Sequence, residues 1–286
     1  MTRSVRDVIA SATTVLASVG VDSPAADARW LLAHVLGVSQ GRLLLVDDIS
    51  DAVAKDYDDL VAARARRVPL QHLTGSASFG PVELAVGPGV FVPRPETELL
   101  YAWALEVAEG DSPTIVDLCS GSGALAIALA VSLPRARVHA VERSPIAAQW
   151  LRRNVDDAGV TDRVHVHLGD ATDSAAVSAF VGGPVDLVVS NPPYVPTGVP
   201  VSQEVQADPA EAVFGGGDGM SVITPMVGVI AQILRSGGRV GIEHDDTTSA
   251  SVVAVMTGSG AFDEVQEHRD LAGRPRFVTA RARMDR

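Results

Sequence analysis

The sequence predicts an α/β protein in which a doubly wound, mainly parallel sheet follows a small bundle of helices. Three observations support this. Apolar residues recur at helical spacing through the first 72 residues, an alternating pattern between Gly-Pro pairs follows, and from Thr114 short β-branched runs alternate with helical segments. We expect a helical domain at residues 1–72, a β-hairpin linker at 73–92 and an α/β domain at 93–286.

The helical domain has recognisable starts and stops. The first helix is expected to end near Gly20, and Ser23-Pro24 combines a capping residue with a proline suited to the first turn of a second helix, ending near Gly37. A further helix is expected at 52–67. This helix ends in the densest basic cluster of this part of the chain, formed by Arg64, Arg66 and Arg67. We expect these arginines to be exposed to solvent at the end of the helix.

Glycine and proline punctuate the stretch that joins the two domains. Val82, Leu84 and Val86 alternate with other residues between Gly80-Pro81 and Gly87-Pro88-Gly89, and this pattern predicts a hairpin. The stretch 93–98, Pro-Arg-Pro-Glu-Thr-Glu, then has the proline and acidic residues typical of a helix entry. A helix is therefore expected at 99–109.

The α/β domain is predicted from regular alternation of two periods. Short apolar runs followed by turn residues indicate buried parallel strands, and the segments between them have helical patterns. Strands are expected at 115–118, 138–142, 164–168, 185–190, 238–243, 265–268 and 277–282, and helices at 124–132, 144–158, 221–234 and 249–256.

Composition limits the classes of function. The chain has 286 residues, 47% hydrophobic and 20% charged, which describes a globular protein, and its net charge is −12. Such a charge disfavours nucleic-acid partners, which are bound through Lys and Arg, and favours a basic protein partner. One cysteine, Cys119, and a charged N-terminus without a secretory h-region predict a cytoplasmic protein.

Three successive strand ends carry residues suited to an adenosine-bearing cofactor. The first strand runs into Cys119-Ser120-Gly121-Ser122-Gly123, where glycine permits positive φ and close approach of a ligand. Glu142 ends the next strand, and its carboxylate can accept from both ribose hydroxyls. Asp170 ends the third and can accept from an adenine amino group. No metal-ligand or Ser-His-Asp constellation is found beside them, so no metal site is expected.

The fourth strand end, Asn191-Pro192-Pro193-Tyr194, discriminates between a nicotinamide dinucleotide and S-adenosylmethionine. Hydride transfer has no use for these residues, whereas methylation of a planar, conjugated nitrogen does. The Asn191 side-chain oxygen and the Pro192 carbonyl can accept hydrogen bonds from the two N–H groups of such a nitrogen. The Tyr194 ring can pack against the planar group that carries it. Positioning the nitrogen in line with a sulfonium methyl supplies much of the rate, and the acceptors stabilise the developing positive charge.

These stretches together resemble the PrmC/HemK family, glutamine N5-methyltransferases that act on class I peptide-chain release factors. The resemblance covers nearly the whole chain. It rests on the helical N-terminal domain, the Pro-Arg-Pro-Glu-Thr-Glu stretch, the two turns just described, Asp208-Pro209 with 215–219, and 271–276. It implies a seven-stranded, Rossmann-like class I methyltransferase domain.

The resemblance also implies a substrate and a set of contacts. The substrate would be the glutamine of the Gly-Gly-Gln loop of release factors, with its amide held by Asn191, Pro192, Pro193 and Tyr194, of which Asn191, Pro192 and Tyr194 are the expected catalytic residues. S-adenosylmethionine would lie against Cys119, Ser120, Gly121, Ser122, Gly123, Glu142, Asp170, Ala171 and Asn191. Ala171 stands where some relatives have an aromatic residue over the adenine.

The sequence leaves two alternative functions open. An N6-adenine methyltransferase of DNA or RNA would use the same four residues after the fourth strand, because adenine N6 is also a conjugated amine. The net charge and the lack of a separate basic, aromatic-bearing segment disfavour it. A non-catalytic binding module is the other alternative, disfavoured because both the cofactor turn and Asn191 are intact. The stretch 243–246, Glu-His-Asp-Asp, receives no role from the sequence.

Overall fold

The computed structural model describes residues 2–284, which form two compact units. The first, called the helical unit below, contains the chain through Ser76 together with Ser202–Ala207. The second, the sheet unit, contains Ala77–Val201 and the chain from Asp208 onward. Within the described residues, no helix combines the length and the apolar character needed to cross a membrane.

The helical unit is built around the apolar faces of its helices. Leu16, Leu31, Leu32 and Tyr57 are fully buried there, and the Tyr57 hydroxyl donates to the Ala28 carbonyl at 3.0 Å. The two short strands pair in antiparallel fashion. The elements of this unit are β1 (Thr2–Ser4), α1 (Val5–Ser18), α2 (Pro24–Leu36), α3 (Gln40–Leu43), β2 (Asp48–Ser50), α4 (Asp51–Ala65), α5 (Leu70–Thr74) and a 3₁₀ turn (Val205–Ala207).

The basic cluster at the end of α4 is largely buried, so the expectation of a solvated helix end is wrong. Arg64 has a side chain only 7% exposed and donates from Nε to Asp27 at 2.7 Å and from Nη1 to Glu204 at 2.9 Å. Arg67 donates to Glu204 from Nε at 2.6 Å and from Nη2 at 2.7 Å. These hydrogen bonds, with Arg67 first, lower the pKa of Glu204 to about 2. Only Arg66 is exposed.

The sheet unit begins with a two-stranded hairpin and continues with alternating strands and helices. Gly80, with φ of 51°, lies in the turn between the two strands of the hairpin. The elements are β3 (Ser76–Phe79), β4 (Val82–Ala85), α6 (Thr97–Val107), β5 (Thr114–Leu118), α7 (Ala124–Ser132), β6 (Arg137–Glu142), α8 (Pro145–Asp157), β7 (Val164–Leu168), α9 (Ser174–Val181), β8 (Val185–Ser190), α10 (Ala210–Val213), α11 (Ile223–Ile233), β9 (Leu234–Glu243), α12 (Ser249–Gly258), β10 (Phe262–Arg269) and β11 (Pro275–Ala282).

The seven strands of the main sheet lie in the order β10-β11-β9-β8-β5-β6-β7. Four neighbouring pairs from β9 to β7 are parallel, and β11 and β10 add an antiparallel edge. The predicted doubly wound, mainly parallel seven-stranded sheet is therefore confirmed. From β5 the chain moves to β6 and β7 on one side and then returns to β8 on the other. This reversal opens a crevice between the carboxyl ends of β5 and β8, where ligands bind in such sheets.

Strand β9 is longer than its pattern predicts, and β10 and β11 also begin before the predicted residues. Strand β9 begins at Leu234, which pairs with Val185, whereas Arg239 pairs with Leu187. The register therefore shifts, and the extra residues form a bulge within the strand that includes Gly237 at φ of 75°. Leu234 lies at the end of the apolar periodicity of α11, so the sequence pattern assigns it to the helix.

Candidate active site

The two central turns start from neighbouring residues of the sheet. Leu118 at the end of β5 is paired with Ser190 at the end of β8, and the Ser190 hydroxyl donates to the Leu118 carbonyl at 2.7 Å. Residues 119–123 and 191–194 therefore leave the same edge of the sheet side by side. The structure thus brings together the two groups of residues to which the sequence assigns cofactor and substrate.

The turn after β5 has a left-handed backbone at three positions. Cys119, Gly121 and Gly123 have φ of 64°, 56° and 90°. A Cβ on Gly121 would meet nothing within 4 Å, whereas a Cβ on Gly123 would collide with Leu151 and Ile127. Gly123 therefore allows close packing of helix α8 against α7, and Gly121 leaves open space in front of the turn.

Glu142 at the end of β6 stabilises the turn at 119–123 through hydrogen bonds. Its Oε2 accepts from the Gly121 amide at 2.8 Å and its Oε1 accepts from the Ser144 amide at 2.6 Å. The Ser120 amide donates to the Val141 carbonyl at 3.0 Å, which ties the turn to β6 a second time. Each carboxylate oxygen keeps a further lone pair, so Glu142 can accept from hydroxyl groups while holding the turn.

Asp117 is a functional candidate that the sequence did not single out. It is 1% exposed, its Oδ2 accepts from the Ala126 amide at 3.2 Å, and its Oδ1 has no hydrogen-bond partner among the described residues. Desolvation raises the pKa of this carboxyl group to about 7. An acidic residue inside the apolar strand Ile115–Leu118 is the signal that could have found it, since a buried carboxylate needs a partner.

The end of β7 places Asp170 and Ala171 next to the end of β6. The Gly169 amide donates to the Glu142 carbonyl at 3.0 Å, which joins this strand end to the previous one. Asp170 Oδ1 accepts from the Thr172 amide and hydroxyl at 2.8 and 2.7 Å. Ala171 is buried, at 5% exposure, and packs in the apolar cluster that includes Val116 and Leu118.

The turn after β8 contains both buried and accessible polar groups. Pro192 and Pro193 are buried, whereas Asn191 and Tyr194 are half-buried. Among the described residues, no hydrogen bond engages the Pro192 carbonyl. The Tyr194 hydroxyl donates to Oε1 of Glu243 at 2.9 Å, and desolvation followed by this carboxylate raises the pKa of Tyr194. The turn therefore offers a free carbonyl next to an anchored aromatic ring.

The glycine-rich loop at 215–219 packs on the backbone of the β8 turn. A Cβ on Gly215 would lie 2.5 Å from the Pro193 carbonyl oxygen, and one on Gly219 would collide with the Tyr194 carbonyl oxygen. Gly219 also has φ of 78°. Glycine is required at both positions because only a residue without Cβ allows the two backbones to approach this closely.

The Pro-Arg-Pro-Glu-Thr-Glu stretch contacts the β8 turn through Thr97 and the Asp208 region through Arg94. Arg94 forms an ion pair with Asp208, whose Oδ1 also accepts from the Val92 amide at 3.1 Å. Thr97, at the start of α6, is 3% exposed, and its Oγ1 lies 3.0 Å from Nδ2 of Asn191. Thr97 and Glu243 both contact the predicted catalytic residues, yet neither was among the predicted site residues.

The residues around the β5 turn fit the expected cofactor in chemistry. Open space in front of Gly121 allows a ligand to approach the backbone, the carboxylate of Glu142 suits a ribose, and the orphan oxygen of Asp117 suits an ammonium group. S-adenosylmethionine carries all three features: a polar chain with an ammonium group, a ribose and an adenine. Its product S-adenosylhomocysteine carries the same features without the methyl group.

Sequence comparison finds a family for both parts of the chain. Residues 7–75 match the model of the PrmC N-terminal domain, and residues 98–208 match a family described as conserved hypothetical protein 95. The release factor glutamine methyltransferase of Mycolicibacterium smegmatis is 52% identical over 281 residues, 98% of each chain. The protein of the same name from Corynebacterium glutamicum is 49% identical, over 96% of this chain and 98% of that one.

Structure comparison supports the fold of the sheet unit. A methyltransferase from Pyrococcus furiosus is similar with a TM-score of 0.53 at 15% identity, covering 71% of this chain and 89% of that one. At this identity the likeness concerns the fold alone. The identity to the two curated relatives extends over almost the full length of every chain compared, so this chain belongs to the release factor glutamine methyltransferase family.

Proposed function

We propose that this protein transfers a methyl group from S-adenosylmethionine to the side-chain amide nitrogen, N5, of the glutamine in the Gly-Gly-Gln motif of class I release factors. The single observation that carries the proposal is the adjacency of the two turns. The cofactor turn after β5 and the Asn191–Tyr194 turn after β8 leave paired residues of one sheet. A methyl donor and an acceptor amide bound to them meet across the crevice.

The chain's own residues supply orientation and charge stabilisation. The Asn191 side-chain oxygen and the Pro192 carbonyl accept hydrogen bonds from the two N–H groups of the glutamine amide. They thereby orient its nitrogen toward the methyl group. When bound, the cofactor supplies that methyl group on a positively charged sulfur. The two acceptors also stabilise positive charge that develops on the amide nitrogen, until that nitrogen releases one of its two protons to solvent. Tyr194, anchored by Glu243, packs against the planar amide.

We propose that Cys119, Ser120, Gly121, Ser122, Gly123, Glu142, Asp170 and Ala171 hold the cofactor. Glu142 accepts from the ribose hydroxyls, and Asp170 Oδ2 accepts from the adenine amino group, since Oδ1 is occupied by Thr172. Asn191 contacts both ligands. The cytoplasm is the proposed compartment, because release factors act on ribosomes and the chain has one cysteine.

The direct test is to identify the methylated atom. The protein is incubated with S-adenosylmethionine and either an unmethylated release factor or unmethylated DNA, and the products are analysed by mass spectrometry. We expect the Gly-Gly-Gln peptide to gain the mass of one CH₂ group, with fragmentation placing it on the glutamine side chain. Methyl groups on adenine, or none on either substrate, would reject the proposal.

We further propose that the helical domain at 1–72 docks the body of the release factor. Leu44 and Leu45 are consecutive and are 83% and 82% exposed, and Leu44 lines a cavity of about 660 Å³ that α1, α2, α3 and the loop before β2 enclose. Paired exposed leucines at the rim of a groove are typical of a protein contact. A basic release factor surface would complement the net charge of −12.

The docking role is tested by comparing two substrates. Leu44→Ala with Leu45→Ala should raise KM for an intact release factor by about tenfold and leave KM for a short Gly-Gly-Gln peptide unchanged. Val15→Ala with Val19→Ala is the matched control, because both valines are 42% exposed on α1 and its end. Equal changes for both substrates would contradict docking.

A further inference from the structure

A hydrogen bond to Thr97 holds the side-chain amide of Asn191. One terminal atom of its amide, Nδ2, lies 3.0 Å from Oγ1 of Thr97, a residue 94 positions earlier in the chain. An amide has one donor end and one acceptor end, so whichever end faces Thr97 leaves the other end for the substrate. The catalytic role requires that the free end be the oxygen. Something must therefore dictate that Thr97 accepts from Asn191 rather than donates to it.

A second buried group beside the Asn191–Tyr194 turn is Glu243, the last residue of β9. Glu243 is 2% exposed, its Oε1 accepts from the Tyr194 hydroxyl, and its Oε2 has no hydrogen-bond partner among the described residues, so it is an open acceptor. The Thr97 hydroxyl acts to lower the pKa of this carboxyl group, as a donor to it does. An ionised carboxylate accepts hydrogen bonds and cannot donate any.

The direction of the network follows from counting hydrogens. Thr97 has a single hydroxyl hydrogen, and a buried carboxylate with an unfilled acceptor position attracts it more strongly than a neutral amide oxygen does. Once that hydrogen points at Glu243, Oγ1 of Thr97 can only accept from Asn191. The amide of Asn191 must then present Nδ2 to Thr97 and Oδ1 to the crevice.

We propose that Thr97 and Glu243 are positioning residues that hold the Asn191 amide in the one orientation able to accept from the substrate nitrogen. The proposal rests on the proposed function of Asn191 and assigns a role to two stretches, the helix entry at 93–98 and the acidic stretch at 243–246. Glu243 holds both turn residues: Tyr194 directly and Asn191 through Thr97.

The surroundings of Glu243 make its charge state responsive to pH. Desolvation raises its pKa to about 7, the charges of Glu96 and Arg276 act in opposite directions, and the hydroxyls of Thr97 and Tyr194 favour the ionised form. A protonated Glu243 could donate to Thr97 and let its hydroxyl turn toward Asn191. The orienting network is therefore complete only above the pKa of Glu243.

The first test removes the hydroxyl of Thr97 without changing its shape. Thr97→Val should lower kcat about 10- to 100-fold, because the Asn191 amide is then free to flip, while the Kd for S-adenosylmethionine stays within about twofold. Thr97→Ser, which restores the hydroxyl, should recover most of kcat. Thr279→Val is the control, since Thr279 is also buried and its hydroxyl hydrogen-bonds to His268 at 2.8 Å.

The second test uses Glu243→Gln, which keeps the shape and removes the obligatory acceptor. Its kcat should fall about tenfold or more, whereas its thermal stability at pH 8 should equal or exceed that of the wild-type protein because a buried charge has been removed. A purely structural role predicts a loss of stability together with activity. This variant keeps the proposal testable if Thr97→Val folds poorly.

The decisive measurement is the double variant Thr97→Val with Glu243→Gln. Because both residues act through one orientation of Asn191, its kcat should lie within about twofold of the slower single variant. A kcat for Thr97→Val within twofold of wild type, or multiplicative losses in the double variant, would overturn the inference. If the wild-type protein methylates no release factor glutamine, the proposed function fails instead, so the two failures are distinguishable.

Discussion

The turn after β5 and the turn after β8 lie side by side but are built by different means. The β5 turn depends on backbone shape: three residues with positive φ, open space in front of Gly121, and a carboxylate that accepts from two backbone amides. The β8 turn depends on side chains: Asn191 is hydrogen-bonded to Thr97, and Tyr194 is hydrogen-bonded to Glu243. One turn is a shaped surface and the other is an oriented pair of acceptors.

This difference predicts which measured constant should change when each turn is altered. A shaped backbone binds a ligand whose form is constant, so its defects should appear in the Kd for the cofactor. An oriented amide acts on a reacting atom, so its defects should appear in kcat at saturating cofactor. Under the proposed function, the β5 turn serves cofactor binding and the β8 turn serves catalysis, and the following variants test that separation.

The largest effect is expected at Asn191. Asn191→Ala removes the side-chain acceptor for the substrate nitrogen and should lower kcat by about 1000-fold, in line with the loss of an oriented acceptor at a reacting atom. The Kd for S-adenosylmethionine, measured by calorimetry, should rise only a few-fold. Loss of cofactor binding as large as the loss of kcat would remove the contrast between the two turns.

Gly121→Ala probes the other side of the comparison. The new methyl group projects into the space in front of the β5 turn, at a φ of 56°, and should raise the Kd for S-adenosylmethionine about tenfold with little change in kcat at saturation. Gly159→Ala is the matched control, because Gly159 has φ of 67° and equally open surroundings. It should show the same backbone strain, as a small drop in Tm, without the change in Kd.

Each turn has one buried acid with a pKa raised to about 7 by desolvation, Asp117 for the first and Glu243 for the second. A raised folded-state pKa means that the folded protein binds extra protons between about pH 4 and pH 7, so stability falls as pH rises through that range. Asp117→Asn should remove this loss and gain up to about 4 kcal/mol relative to wild type by pH 8. Urea unfolding at pH 5 and pH 8 measures the change.

The same variant also tests the cofactor role of Asp117. S-adenosylmethionine should raise the Tm of the wild-type protein at pH 8 more than that of Asp117→Asn, because the cationic ligand then loses its carboxylate partner. Equal shifts in Tm would exclude Asp117 from the cofactor contacts. A variant that loses stability at pH 8 would contradict the raised pKa.

The smallest effect is expected at Cys119. Desolvation, followed by the charges of Glu142 and Asp117, raises the pKa of the thiol, so little thiolate forms near neutral pH. Iodoacetamide at pH 8 should label the folded protein far more slowly than the urea-unfolded protein, as mass spectrometry of the intact chain would measure. Rapid labelling in the folded state would show an accessible, ionised thiol and contradict the raised pKa of Cys119.

Local patterns were enough to predict the strands and the turns that follow them. The runs 164–168 and 185–190 form strands over the predicted residues, because a short β-branched run with turn residues after it has few other structures available. The seven-stranded sheet and the family also agree with what the sequence predicts. The assignment of individual site residues to cofactor and substrate remains a prediction.

Long-range partners could not be predicted in the same way. Thr97 meets Asn191 across 94 positions, and Tyr194 meets Glu243 across 49. Arg64 meets Glu204 across 140 positions, and so a cluster expected in solvent is buried. Such pairs depend on the topology of the fold, which periodicity does not specify. The unassigned stretch at 243–246 acquires a role only when the end of β9 is placed beside the β8 turn.

The segment Ser202–Ala207 has a practical consequence for protein engineering. This short piece follows the β8 turn in the chain but belongs to the helical unit, where its Glu204 is bound by Arg64 and Arg67. The helical unit is therefore discontinuous in sequence, and no single cut separates it. A chimera that exchanges this unit between relatives must transplant residues 202–207 with the N-terminal part. Otherwise Arg64 and Arg67 would lose the carboxylate that they share, and Arg64 would keep only Asp27 as its ion-pair partner.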